Sequence, residues 1–275
     1  MTELPWPIAY TVSSDDCSSP AALGHQSPYA KALAEVAALG YEAVEVQVRE
    51  PGPRSAERLQ AVAGATGVRI AAIATGPVHG EDGLTLIDPD PEVRCRALRR
   101  LTATADLAAE LGVPMTLGKA RGRFAPGLEE RQRVWALASV RDLAGHLAAR
   151  GSRLLLEPQR RANTDFLTTA DQARAFATDV GEPGIGLVLD THHMAAEGEP
   201  FAETVDANAD WLACVQLADS HSRGPLGSGH FAFDALLGAL RRTGFSGWIT
   251  MEHHQVPTSA QAAERSLETL RKAFA

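Results

Sequence analysis

The 275-residue sequence holds only three cysteines, Cys17, Cys95 and Cys214, far apart and in no CxxC pair. A disulfide framework and a thiolate zinc site are therefore not expected. No apolar run approaches the roughly 20 residues that a membrane-spanning helix needs. The opening MTELPWPIAY lacks the basic start and apolar stretch of a secretory signal. Excess basic charge is missing too. The net charge is −8 and the pI about 5.6, whereas a nucleic-acid binder should carry a basic footprint. No Pro- or Ser-rich linker, low-complexity tract or composition break divides the chain. The expectation is a reduced, cytoplasmic protein with one domain over 1–275 and no nucleic-acid or membrane partner. Hydrophobic residues at 45% and charged residues at 22% suit a sizeable core and exclude disorder or a collagen-like chain.

What is present is an alternation. Short β-type runs at Ile8–Val12, Ala43–Val48, Arg69–Ala74, Val113–Leu117, Arg153–Leu156, Ile185–Leu189, Trp211–Leu217 and Trp248–Met251 are separated by helical patterns. Tyr29, Leu33 and Val36 recur at helical spacing before Gly40. Leu98, Leu101, Ala105 and Ala108 do so behind an Asp90-Pro91 start, and Leu137, Val140, Ala144 and Leu147 before Gly151. The AVEVQV run reads as a strand with alternating faces. Eight strand–helix units in ~250 residues predict a closed α/β barrel, (β/α)8, rather than an open doubly wound sheet with exposed edges.

In such a barrel, chemistry sits at the C-terminal ends of the strands. Strand five ends in Glu157, strand six in Asp190, strand seven near Gln216 and Asp219, and strand eight in Glu252. Buried carboxylates are costly unless paired or coordinated, and three converging acids call for a divalent cation. Glu157, Asp190, Gln216 and Glu252 offer only oxygen, which favours Mn²⁺ or Mg²⁺ over zinc. His193 follows Asp190 in a D-x-x-H pair and can reach a substrate. His192, His253 and His254 read as structural, His146 as a surface residue, and His25 is unassigned. The glycines of ADSHSRGPLGSGHFAF match neither nucleotide-loop spacing. Arg223 within it offers a fork of donors to substrate oxygens, and Lys119, Arg121 and Arg123 of LGKARGR could meet an anion.

The segments ATGPVHGEDGLTLIDPDPEVR, LGKARGR, LEPQRRANTDF, LDTHHM and ADSHSRGPLGSGHF together resemble the xylose-isomerase-like sugar isomerase/epimerase superfamily of metal-dependent barrels. The likeness covers nearly the full length. Within that superfamily the pattern is most similar to ketose 3-epimerases and keto-sugar-acid epimerases such as 5-keto-L-gluconate epimerase. The resemblance implies a (β/α)8 barrel and one divalent ion, Mn²⁺ before Mg²⁺ or Co²⁺, held by Glu157, Asp190, Gln216 and Glu252. It implies Glu157 and Glu252 as the acid/base pair, with His193 and Arg223 on the substrate; Lys119 and Arg121 join them from the residue reading. The implied reaction is epimerisation of a keto-sugar or keto-sugar acid, by proton removal and return beside the carbonyl through a metal-stabilised enediolate. Two positions depart from the epimerase pattern. Gln216 stands where most epimerases carry a histidine, as in hydroxypyruvate isomerases, and Asn163 stands where they often carry a glutamate. A hydroxypyruvate-type aldose–ketose isomerase and a keto-polyol dehydratase are the alternatives. The DNA-repair endonuclease branch does not suit the acidic charge or Gln216. A homo-oligomer, dimer or tetramer, is compatible with all of these readings.

Overall fold

Strands form where β-branched and leucine-rich runs can be covered on both faces, and helices where one apolar stripe can cover them. The computed structural model describes residues 4–18, 23–219, 222–231 and 233–274. Its strands are β1 (Ile8–Ser13), β2 (Ala43–Gln47), β3 (Arg69–Ala74), β4 (Met115–Leu117), β5 (Leu154–Leu156), β6 (Ile185–Asp190), β7 (Leu212–Leu217) and β8 (Trp248–Met251). They pair in parallel in sequence order, and β8 closes on β1 through Ile8–Ile249 and Tyr10–Met251. The eight-stranded α/β barrel expected from the alternation is the fold.

The surrounding helices are α1 (Tyr29–Leu39), α2 (Ser55–Thr66), α3 (Gly76–Gly80), α4 (Pro91–Glu110), α5 (Glu129–Ala148), α6 (Ala170–Val180), α7 (Thr191–Glu197), α8 (Phe201–Asn208), α9 (Phe233–Arg242) and α10 (Ser259–Ala273). Local chemistry sets several of their ends. Asp90 accepts from Glu92 N at 2.8 Å with Pro91 at the first helical position of α4. Thr169 and Thr258 cap α6 and α10 in the same way. Gly40 ends α1 at φ 95°, a left-handed conformation that favours glycine.

The strand faces divide the core. Val44, Val46, Leu154, Leu156, Leu187, Leu189, Val215 and Leu217 belong to the large apolar core together with the buried stripes of the helices, such as Leu33, Leu101, Leu143 and Leu236. Leu155, Val188, Ala213 and Cys214 form a separate small cluster. Strand side chains alternate with a period of two. Residues two positions on from Leu155, Val188 and Cys214 are Glu157, Asp190 and Gln216, so an apolar floor inside the barrel lies one layer below a polar layer.

Three sequence expectations shift. The fourth strand starts at Met115 rather than Val113, because Val113 N still closes the end of α4 on Ala108 O and Pro114 has no N–H for the ladder. The alternation of AVEVQV does not separate a wet face from a dry one. All five residues of β2 are buried, with Glu45 and Gln47 among the residues lining the cavity described below. α7 fills a stretch that the sequence reading leaves as loop. Among the described residues, no helix is long and apolar enough to cross a membrane.

Candidate active site

Four neighbouring strands carry the polar layer. Glu157 and Glu252 each sit one residue past a strand, and their backbone N–H groups continue the ladder to Leu117 O (3.2 Å) and Leu217 O (3.1 Å). Asp190 and Gln216 are register partners on β6 and β7. All four are buried. Asp190 has two separate tasks. Its Oδ1 caps α7, accepting from His192 N at 2.7 Å, while its Oδ2 accepts from Arg223 Nη2 at 2.5 Å. Capping α7 turns His193 back toward the same cluster, with Nε2 3.4 Å from Glu157 Oε1 and 3.8 Å from Asp190 Oδ2. The helix that the sequence reading omitted is thus what brings His193 to the acids. Ligand atoms of Glu157, Asp190 and His193 all lie within 4.8 Å of one another.

Arg223 is the cation of this layer. It is buried, adopts a left-handed backbone at φ 56°, and places Nη2 against both Asp190 Oδ2 and Glu252 Oε2. Burial opposes its charge, but Asp190, Glu252 and Glu157 outweigh burial and raise its pKa. Burial pushes the Glu252 carboxyl well above the usual carboxylate range, with the Arg223 charge pulling the other way. Burial also drives His193 well below its ordinary value, which leaves the imidazole neutral, and it lowers Lys119. Gln47 Nε2 donates to Glu252 Oε1 at 3.3 Å.

A cavity of about 260 Å³ opens on this layer, lined among others by Glu157, Gln216, Glu252, Lys119, Arg223 and Gln47. A larger one, about 730 Å³, lies beside α2 with Asp15, Asp16, Tyr29 and Arg58 in its wall. Size does not decide the site here. The smaller cavity is the one that holds converging buried acids and a buried cation. Glu157 reaches it because residue 118 is glycine: a Cβ there would fall 2.5 Å from both Glu157 Oε2 and Gln159 Nε2.

The chemistry of the donors fits a hard divalent cation. Ligand oxygens of Glu157 and Asp190 and the neutral nitrogen of His193 converge, Glu252 shares the Arg223 guanidinium with Asp190, and Gln216 Oε1 is buried with no hydrogen-bond partner. An arginine nitrogen between two of the carboxylates shows that this point favours positive charge.

Lys119 lines the cavity as expected of a substrate contact, but Arg121 does not. The residue is 1% exposed, and its guanidinium donates to Phe166 O, Gly118 O, Glu157 O and Leu167 O at 2.7–2.9 Å. Four of its five N–H donors are committed to backbone, and burial lowers its pKa to about 10. Arg121 ties the ends of β4 and β5 together and so holds the backbone of Glu157. We expect Arg121→Met to cost about 3 kcal/mol or more by leaving buried carbonyls unpaired. That corresponds to a Tm lower by roughly 6–12 °C in a domain of this size. A melt within about 2 °C of the parent would contradict this role. Arg123 turns outward to Arg161 O and Ala162 O.

Asp219 organises the loop after β7. Its carboxylate accepts from the N–H groups of Gly227, Gly229 and Phe231 at 2.9–3.1 Å. Those amides are spent on a carboxylate, which explains why the glycines there do not form a phosphate loop. Ser220, His221 and Ala232 of this segment lie outside the described residues. His253 is bound to Ser266 Oγ (2.8 Å), His146 pairs with Asp106 at the surface, and His25 pairs with Glu35 at 3.0 Å. Asn163 Nδ2 donates to Gln159 Oε1 at 3.1 Å, so it touches the cavity through a lining residue.

Sequence reading missed Glu45. It is fully buried inside the barrel, where it accepts from Gln216 Nε2 (2.8 Å) and Thr250 Oγ1 (3.2 Å). Burial, then the neighbouring Glu157, push its carboxyl up to about 7, and the two hydrogen bonds pull it back. The available signal was a glutamate inside a strand of alternating valines and polar residues.

The profile of the xylose isomerase-like TIM barrel family matches residues 33–273. The chain belongs to this family. Among its relatives, an L-ribulose 3-epimerase of Methylomonas sp. (strain DH-1) is 28% identical over 229 residues, covering 81% of this chain and 77% of the relative. A ketose 3-epimerase of Arthrobacter globiformis is 30% identical over 198 residues, covering 70% and 68%. The crystal structure of 3-keto-D-glucoside 4-epimerase from E. coli superposes with a TM-score of 0.82 at 21% identity over 97% of this chain and 99% of that one. This last likeness is one of fold.

Proposed function

We propose that the chain is a divalent-metal-dependent epimerase of a keto-sugar or keto-sugar acid. The observation that carries this reading is the cluster of Glu157, Asp190 and His193, whose ligand atoms lie within 4.8 Å of one another, beside Gln216 and Glu252, which line the cavity together with Glu157. Relatives named as ketose and ribulose 3-epimerases support the substrate class. Glu157, Asp190, Gln216 and Glu252 are the proposed ligands, and Mn²⁺ is the proposed ion, with Mg²⁺ and Co²⁺ suiting the same donors. When bound, the ion supplies Lewis-acid stabilisation of negative charge on substrate oxygen.

The chain's own residues do the rest. Glu157 and Glu252 flank Asp190 and Gln216 in strand order. One removes the proton from the hydroxyl-bearing carbon beside the carbonyl, and the other returns a proton to the opposite face. His193, neutral through burial, meets a substrate hydroxyl, and Arg223 and Lys119 hold flanking oxygens. Arg121 acts only by fixing the Glu157 backbone.

Proton NMR of candidate ketoses and keto-sugar acids in D₂O, recorded after the metal-loaded protein is removed, tests this. The expected result is an epimer with deuterium at the inverted carbon and no loss of water. An aldehyde product labelled at the neighbouring carbon would make the protein an aldose–ketose isomerase. A dehydrated product would make it a dehydratase. No exchange with any candidate overturns all three.

A further inference from the structure

The β7 ligand proposed here is an amide, and an amide has two opposite ends. Its oxygen can ligate a cation, whereas its NH₂ group repels one. Nothing in the glutamine itself decides which end faces the cavity. A fixed acceptor behind it does. Gln216 Nε2 donates to Glu45 Oε1 at 2.8 Å, and Gln216 Oε1 is buried without a hydrogen-bond partner. Glu45 cannot turn away, because Thr250 Oγ1 holds its second oxygen at 3.2 Å and the side chain is fully buried. Flipping the amide would set its oxygen against a carboxylate oxygen and leave the NH₂ group without that acceptor.

We infer that Glu45 is a positioning residue, which holds the Gln216 amide with its oxygen turned into the acid cluster and so makes glutamine a competent cation ligand at this strand. This rests on the reading of the cluster as a metal site. Glu45 acts through the Gln216 amide, its hydrogen-bond partner at 2.8 Å. The neighbouring residues are consistent with a dedicated contact. Glu45 comes from β2, outside the ligand strands β5 to β8, and is the one acid on its strand.

The test is calorimetric titration of chelator-treated protein with Mn²⁺ alone, with metal-free melting as the folding control. Glu45→Met removes the acceptor and is expected to weaken Mn²⁺ binding by about 10–100-fold, the range for outer partners of metal ligands. Glu45→Gln keeps a carbonyl that accepts from Gln216 and is expected to stay within about threefold of the parent. Gln216→Glu introduced into Glu45→Met should restore affinity, because a carboxylate has no wrong end. Should Glu45→Met fail to fold, Glu45→Asp takes its place, since its shortened carboxylate keeps the charge but loses the reach. The inference then expects Asp weak and Gln tight.

Three results would overturn it. One is a Met variant as tight as the parent. Another is a Gln variant as weak as Met or weaker than Asp, which would make charge rather than orientation the cause. The third is a parent that takes up no Mn²⁺, which removes the metal reading itself. An unaltered parent beside an unaffected variant removes the inference alone.

Discussion

Glu157→Gln and Glu252→Gln are each expected to lower turnover by roughly 10²–10⁴-fold, the usual contribution of one positioned acid or base. The amide keeps the shape of the side chain and one oxygen, so the barrel should stay folded. Epimerisation is reversible, and each acid therefore acts as the base for one epimer and as the proton donor for the other. The two variants should consequently fail in complementary ways. In D₂O, one variant should still exchange the hydrogen of one epimer without forming the other, and the second variant should do so for the opposite epimer. Mass spectrometry of recovered substrate, started from each epimer separately, reads this directly. Both variants exchanging the same epimer, or either one turning over at the parent rate, would remove the two-acid assignment. The surroundings of the two acids already differ: Glu252 has Arg223 and Gln47 on its oxygens, while Glu157 faces His193.

Removal of divalent metal with a chelator is expected to reduce turnover to about 1% or less, since Lewis-acid stabilisation of the developing charge is worth several kcal/mol. Adding Mn²⁺ back should restore it. The protein should remain folded throughout, because the Arg223 guanidinium lies between Asp190 and Glu252 and partly offsets their repulsion. Binding an ion at about 1,000 times its Kd adds roughly 4 kcal/mol of stability, so loaded protein should melt about 8–16 °C above stripped protein. Arg223→Ala sharpens the test. It leaves buried carboxylates without a partner, which costs roughly 3–5 kcal/mol, and the loss should be largest in stripped protein and smaller with Mn²⁺ present. Calorimetric melts of the four samples measure this. Turnover that resists exhaustive chelation, with no metal in the protein by elemental analysis, would rule out a metal-dependent mechanism.

Most of the barrel was legible in the sequence, for a physical reason. A strand buried on both faces must be apolar, and a helix covering it must be striped. Both periods therefore appear in the chain wherever Val44, Leu101, Leu143 or Leu189 had to be dry. A polar side chain at the end of an apolar strand stands out for the same reason, so Glu157, Asp190, Gln216 and Glu252 could be singled out from their positions alone. Composition says nothing, however, about what a polar side chain meets. Arg121 and Lys119 lie two residues apart in LGKARGR. Only the packing of Phe166 and Leu167 over the end of β5 commits Arg121 to backbone carbonyls while Lys119 keeps a face in the cavity. Glu45 lies in a run that reads only as a strand with alternating faces. It is an interior group because closing the barrel turns both faces of β2 away from water. His193 joins the acids only because Asp190 caps α7. Local periodicity written in the chain suffices for the barrel and for the strand ends that carry acids. The tertiary structure alone decided which polar groups touch, because those contacts join residues as distant as Glu45 and Gln216, and local pattern carries no information about pairs brought together by closure.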